Sequence, residues 1–117
     1  MSRATALVVE VANELDTWPG VRIERRPDGA AVVRYERVEL GLLYPERGLA
    51  ELSFWHPERD RLIEEGDAEP ADAAPESNRV THPIKGPSDV TEVLRLFDRR
   101  YRDLTGEGEP YSSQDPS

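Results

Sequence analysis

Two histidines, His56 and His82, are the only side chains in this sequence whose ordinary pKa lies near neutral. Each precedes a proline at the end of a predicted element. A metal site usually takes three or four ligands, and no HxH or HExxH spacing supplies a further ligand beside either ring. A solvated or backbone-bonded histidine at a loop or strand edge is therefore the favoured interpretation, and no metal or cofactor is predicted.

Serine chemistry has equally little support. Ser77 is expected in a loop, where its hydroxyl can bond nearby backbone. Ser88, between Pro87 and Asp89, is expected to cap the last helix. A serine nucleophile needs a base within hydrogen-bond reach, and neither a GxSxG elbow nor a glycine-rich phosphate loop is present.

Glu39 is the carboxylate with the most distinctive setting. It lies in a predicted strand beside Gly41, on the opposite face from the apolar residues of that strand. If that face is covered, Glu39 becomes a buried carboxylate and a candidate for a functional site. The favoured alternative is an exposed strand residue that pairs across the sheet with an arginine such as Arg34.

Trp55 is predicted to be exposed, on the same strand face as Glu51 and Ser53. An exposed tryptophan can anchor an interface because its ring buries a large area at low entropic cost. The alternative is that the following helix folds over it. The surface expected to bind a ligand or partner combines the open sheet face with residues 67–79, and its candidate residues are Glu39, Trp55, His56, Arg61, Ser77, Arg79 and His82.

The charge composition limits the choice of partner. The chain has 24 acidic and 15 basic residues, a formal net charge of −9, and Lys85 is its one lysine. A halophilic or high-GC source is the hypothesis, since salt screens the repulsion within an acidic chain. The alternative is an ordinary acidic cytosolic protein from a genome that favours arginine. Thermal unfolding in low and in molar potassium chloride tests it, and an unchanged unfolding temperature would contradict it. Nucleic acid is not expected as a partner, because phosphate binding needs a positive footprint.

The overall composition fits one small domain. A chain of 117 residues can bury one modest core. It contains no cysteine, which excludes disulfides and thiolate sites. No apolar run is long enough to span a membrane, and the apolar stretch near the N-terminus is too short for a signal peptide. A cytoplasmic protein, monomeric or weakly dimeric and without membrane contact, is therefore expected.

Hydrophobic periodicity predicts an α+β fold. Apolar residues recur at helical spacing in three segments and alternate with polar residues in five others. Tight turns such as Pro27-Asp28-Gly29 connect consecutive strands, which indicates an antiparallel meander sheet with helices packed on one face. The predicted order is α-β-β-β-β-α-β-α within a single domain at residues 1–104, followed by a disordered acidic tail at 105–117. Residues 67–78 are expected to form a loop.

A set of short motifs in a fixed order resembles a known family. The motifs are Trp18-Pro19-Gly20-Val21, Glu39-Leu40-Gly41, Phe54 with Pro57 and Arg61, Gly66-Asp67-Ala68-Glu69-Pro70, Pro75-Glu76-Ser77, and a closing helix from Asp89 to Tyr101. Over roughly residues 14–104 their order resembles the small bacterial and archaeal domain called luciferase family protein. That resemblance implies no demonstrated light-emitting chemistry. Leu42 and Tyr44 stand where the family pattern has histidines, and Asn78-Arg79 where it has Gly-Trp.

Three functions follow from these observations. A binding or protein-interaction domain without catalytic activity is the leading expectation. The alternative is a small hydrolase-like enzyme that combines His56 or His82 with Glu39 or Ser77, which requires a pocket that holds two of these groups. A DNA-binding accessory is the third, because the element order also looks like double-wing α+β domains, although the acidity of the chain disfavours it.

Overall fold

The computed structural model describes residues 3–71 and 77–106, so all but the first two residues of the predicted tail at 105–117 lie outside the described part. The α+β prediction and its element order are confirmed. The elements are α1 (Arg3–Leu15), β1 (Val21–Arg25), β2 (Ala31–Tyr35), β3 (Val38–Tyr44), β4 (Leu49–Ser53), α2 (His56–Glu64), β5 (Glu69–Pro70), β6 (Arg79–Pro83) and α3 (Pro87–Thr105).

The strands form one antiparallel sheet in the order β1-β2-β3-β4-β6-β5. The first four strands follow the chain because tight turns connect them. After α2 the chain returns so that β6 pairs with β4, with Leu52 opposite Val80. The two-residue strand β5 pairs with the outer edge of β6, within the segment expected to be a loop.

All three helices cover the same face of the sheet. Each contributes to a single buried cluster, through Val11 of α1, Leu62 of α2 and Phe97 of α3. Val33 and Leu52 of the sheet belong to that cluster. This packing removes the apolar stripe of each helix from water. Burial of apolar surface stabilises a fold by about 25 cal/mol for each Å².

The third helix begins two residues earlier than expected. Gly86 is its N-cap and Pro87 its first residue, so the prediction that Ser88 caps the helix is wrong. Proline suits the first turn because its fixed φ is helical and the N–H it lacks would have no helical partner. The Asp89 carboxylate accepts a hydrogen bond from the Lys85 backbone N–H at 2.8 Å instead.

The same helix is the longest, with 19 residues, and it carries charges along its outer side. None of the helices in the described part of the chain combines the length and the apolar character needed to cross a membrane.

Gly41 sets the distance between α3 and the sheet. A Cβ atom at this position would lie 2.7 Å from the Glu51 carbonyl oxygen and 2.9 Å from Cε1 of Phe97. The Phe97 ring, which is buried, occupies the space that a side chain on β3 would need.

We therefore expect Gly41→Ala to lower the free energy of unfolding by about 1–3 kcal/mol, because backbone and a buried ring must shift to admit the methyl group. Urea denaturation measures the change. Gly86→Ser is the control, since the space around Gly86 is open and serine is a preferred N-cap residue. That variant should be neutral or slightly more stable, and an equal loss in both variants would contradict the account.

Candidate functional site

One corner of the molecule combines an exposed tryptophan ring with a half-buried arginine. The end of β4, the start of α2, the residue before β6 and the last turns of α3 meet there around a shallow depression of about 280 Å³. We call this surface the Trp55 corner, and it is lined by Ser53, Phe54, Trp55, Asn78, Arg100 and Asp103.

The exposure of Trp55 follows from its neighbours in the chain. Phe54 turns into the core, and its backbone N–H donates to the Asn78 carbonyl at 3.0 Å. The Trp55 carbonyl accepts bonds from the N–H groups of Glu58 and Arg59 in the first turn of α2, at 3.1 and 3.0 Å. With its backbone held between these elements, Trp55 projects outward and is 67% exposed, which confirms the prediction.

Arg100 contributes the cation of the corner. Its Nε atom is buried and has no hydrogen-bond partner within residues 3–71 and 77–106. Neighbouring arginines of α3 are paired, Arg99 with Glu58 at 3.0 Å and Arg102 with Asp98 at 2.8 Å. An unmade hydrogen bond at a buried donor costs about 1–3 kcal/mol, and a ligand in the depression cannot recover it because the Nε atom has almost no accessible surface.

The open face of the sheet has a different character, because its polar groups bond one another. Glu51 accepts hydrogen bonds from the Tyr44 hydroxyl at 3.1 Å and from the Arg79 guanidinium at 3.2 Å. Ser77 Oγ accepts a bond from the Arg79 backbone N–H at 3.2 Å. The Arg47 guanidinium lies 5.1 Å from the centre of the Tyr44 ring, a cation–π contact.

Charged side chains also form an ion pair on the other half of this face. Arg34 bonds Glu24 at 2.9 Å, while Glu39 is the residue opposite Arg34 in the register of β2 and β3. Glu39 is half-buried. Between these charges lies a small buried apolar cluster of Ala30, Val32 and Leu42. A ligand would gain little binding free energy from these charges, because an ion pair at a partly solvated site contributes only about 0–1 kcal/mol.

The residues predicted to form one surface are spread over the molecule. Ser77 and Arg79 lie together beside the open face, whereas alternation along β6 turns His82 toward the helices, opposite buried Ala50. His82 Nδ1 is 2.7 Å from the Pro83 carbonyl oxygen. Arg61 is exposed on α2, and His56 is the first residue of that helix.

The hydrolase alternative requires one pocket that holds a histidine together with Glu39 or Ser77. Glu39 points to the open face and His82 to the helix-covered face, so the thickness of the sheet separates these two groups. Across residues 3–71 and 77–106, no group of three His, Asp or Glu side chains is placed to hold a metal ion.

Sequence reasoning missed Arg100 and the Tyr44–Glu51–Arg79 network. A signal for Arg100 was available, because it lies four residues after Leu96 and so continues the buried side of α3. An arginine at such a position has to place its guanidinium at the edge of the core. The network depends on the pairing of β4 with β3 and β6, which the sequence pattern does not specify.

No family model, curated protein or solved structure matches this chain. The resemblance to the luciferase family therefore stays a prediction.

Tyr44 provides a pH-dependent test of the network. Burial raises the pKa of its hydroxyl above the ordinary value of 10.0, and the Glu51 carboxylate acts in the same direction. The folded state favours the neutral phenol, so its stabilising contribution is present below pH 10 and is lost as the pH rises through the higher folded pKa.

Absorbance titration at 295 nm should therefore show a tyrosine that ionises above pH 10 in the native protein and is missing in Tyr44→Phe. Tyr35→Phe serves as the control and should leave that component in place. If Tyr44→Phe removes only ordinary titration near pH 10, the Tyr44 hydroxyl is not buried beside Glu51 in solution.

Proposed function

We propose that this chain is a protein-binding domain that contacts its partner through the Trp55 corner. The observation that carries the proposal is the exposure of Trp55. Among the described residues, Val38, at 40%, is the other large apolar side chain that is exposed. Tryptophan and arginine are the residues that most often dominate the energy of protein interfaces, and the corner has both.

Burial of Trp55 offers a partner more free energy than contact with the open sheet face. A tryptophan side chain presents about 200 Å², so a ring that is 67% exposed leaves about 130 Å² to bury. At about 25 cal/mol for each Å², burial of that area contributes about 3 kcal/mol. The ion pairs of the open face are already made, and a partner would have to break them before it could use the same groups.

The shape of the corner favours a macromolecule over a small ligand. Small-molecule sites are concave and enclose most of their ligand. The depression at Trp55 is shallow, and Trp55 stands out from it. A projecting anchor residue with polar groups around it is typical of the centre of a protein–protein contact.

Truncation of the ring tests this proposal. We expect Trp55→Ala to weaken partner binding by about 30-fold or more, the effect of losing an interface hot spot of about 2 kcal/mol. Immobilised wild-type protein and variants, incubated with a lysate of the source organism at its native salt, are compared by quantitative mass spectrometry. Thermal unfolding should change little, because an exposed side chain contributes little to the fold.

Val38→Ala is the matched control, since it also shortens an exposed apolar side chain. Proteins that are retained by the wild type and Val38→Ala but lost from Trp55→Ala support the proposal. If the wild type and both variants retain the same proteins, the proposal is contradicted.

A further inference from the structure

We infer that two copies of this chain associate through the outer edges of their β1 strands, so that the two sheets continue into one antiparallel sheet. β1 is the terminal strand of the sheet, and among the described residues it pairs with β2 alone. An edge strand with free backbone groups is a template for pairing with another chain. β1 contributes no residue to the Trp55 corner, so this contact is separate from the proposed function.

The hydrogen-bond pattern of β1 identifies the backbone groups that face outward. The Arg26 N–H donates to the Ala30 carbonyl at 2.8 Å. Because bonded and non-bonded pairs alternate in an antiparallel ladder, the even-numbered residues of β1 bond β2. The N–H and carbonyl groups of Ile23 and Arg25, and the carbonyl of Val21, therefore point away from β2.

Arg22 has an unfavourable setting in the single chain. It is exposed and lies directly opposite Arg34 in the register of β1 and β2. Arg34 bonds Glu24 at 2.9 Å, whereas Arg22 forms no ion pair within residues 3–71 and 77–106. Like charges directly opposite each other destabilise a sheet, so Arg22 would gain from an acid on its other side.

A twofold axis through Ile23 supplies that acid. In an antiparallel pair of β1 strands centred there, Arg22 of each copy lies opposite Glu24 of the other, on the open side of the sheet. An axis through Arg22 would place two arginines opposite each other, and an axis through Glu24 would place two glutamates so. The charges of β1 therefore favour one register.

The same register also satisfies the backbone of the edge. The Ile23 N–H of each copy donates to the Ile23 carbonyl of the other, and the Arg25 N–H donates to the Val21 carbonyl. Ile23 is half-buried against the core, and the axis brings the two Ile23 side chains together on the helix-covered side. Backbone bonds, opposite charges and apolar contact thus occur in one arrangement.

Sedimentation of the full chain over a range of concentrations tests this association. The contact is small, so we expect a reversible dimer with a dissociation constant of about 10–100 µM. Amide hydrogen exchange followed by NMR gives a second readout on the wild type. The N–H groups of Ile23 and Arg25 should exchange more slowly as the protein concentration rises, because the dimer takes them out of water.

Charge reversal then assigns the contact to β1. Arg22→Glu and Glu24→Arg should each weaken self-association about tenfold or more, because like charges then lie opposite each other. An equimolar mixture of these two variants should form a heterodimer, since every glutamate on the open side then faces an arginine. Arg61→Glu is the control, because it makes the same change in charge at an exposed arginine of α2 and should associate as the wild type does.

A protein that stays monomeric up to about 1 mM would overturn the inference. Equal self-association of the wild type and Arg22→Glu, or no heterodimer in the mixture, would do the same. Trp55→Ala should dimerise as the wild type does, so the partner-capture experiment on that variant judges the proposed function separately.

Discussion

The close approach of α3 to the sheet, made possible by the missing side chain at Gly41, is the contact on which the rest of the structure depends. The Phe97 ring packs against β3 at this point, in the space that a side chain at Gly41 would fill. That position brings Tyr101 against Trp18, with ring centres 5.2 Å apart. It also carries Arg100 to the corner where β4 ends and α2 begins.

The two sides of the molecule differ in how their polar groups are satisfied. On the open sheet face, the Glu51 carboxylate accepts hydrogen bonds from the Tyr44 hydroxyl and the Arg79 guanidinium. These polar groups therefore have hydrogen-bond partners without a ligand. At the Trp55 corner, an aromatic ring remains in water and a buried donor lacks an acceptor. Burial of that ring by a partner would contribute more free energy than new contacts to charges that are already paired.

Alternation and helical spacing were enough to predict the order of the elements, because each period leaves one apolar face that must be buried. The exposure of Trp55 followed from the same alternation. The predicted start of α3 was wrong because Ser88 is a common N-cap residue, whereas the helix uses Pro87 as its first residue and Gly86 as its N-cap. The predicted surface around Arg79 and His82 depended on which face of β6 each side chain occupies, and the alternation of that strand separates them.

The intrinsic fluorescence of Trp55 offers the most direct measurement of the central claim, that this ring is buried by a protein partner. Trp18→Phe removes the second tryptophan and leaves Trp55 as the only indole emitter. The account predicts emission typical of an exposed ring in the isolated protein. With the captured partner added, it predicts a shift to shorter wavelength and weaker acrylamide quenching. Binding of that partner with unchanged emission and quenching would contradict the account.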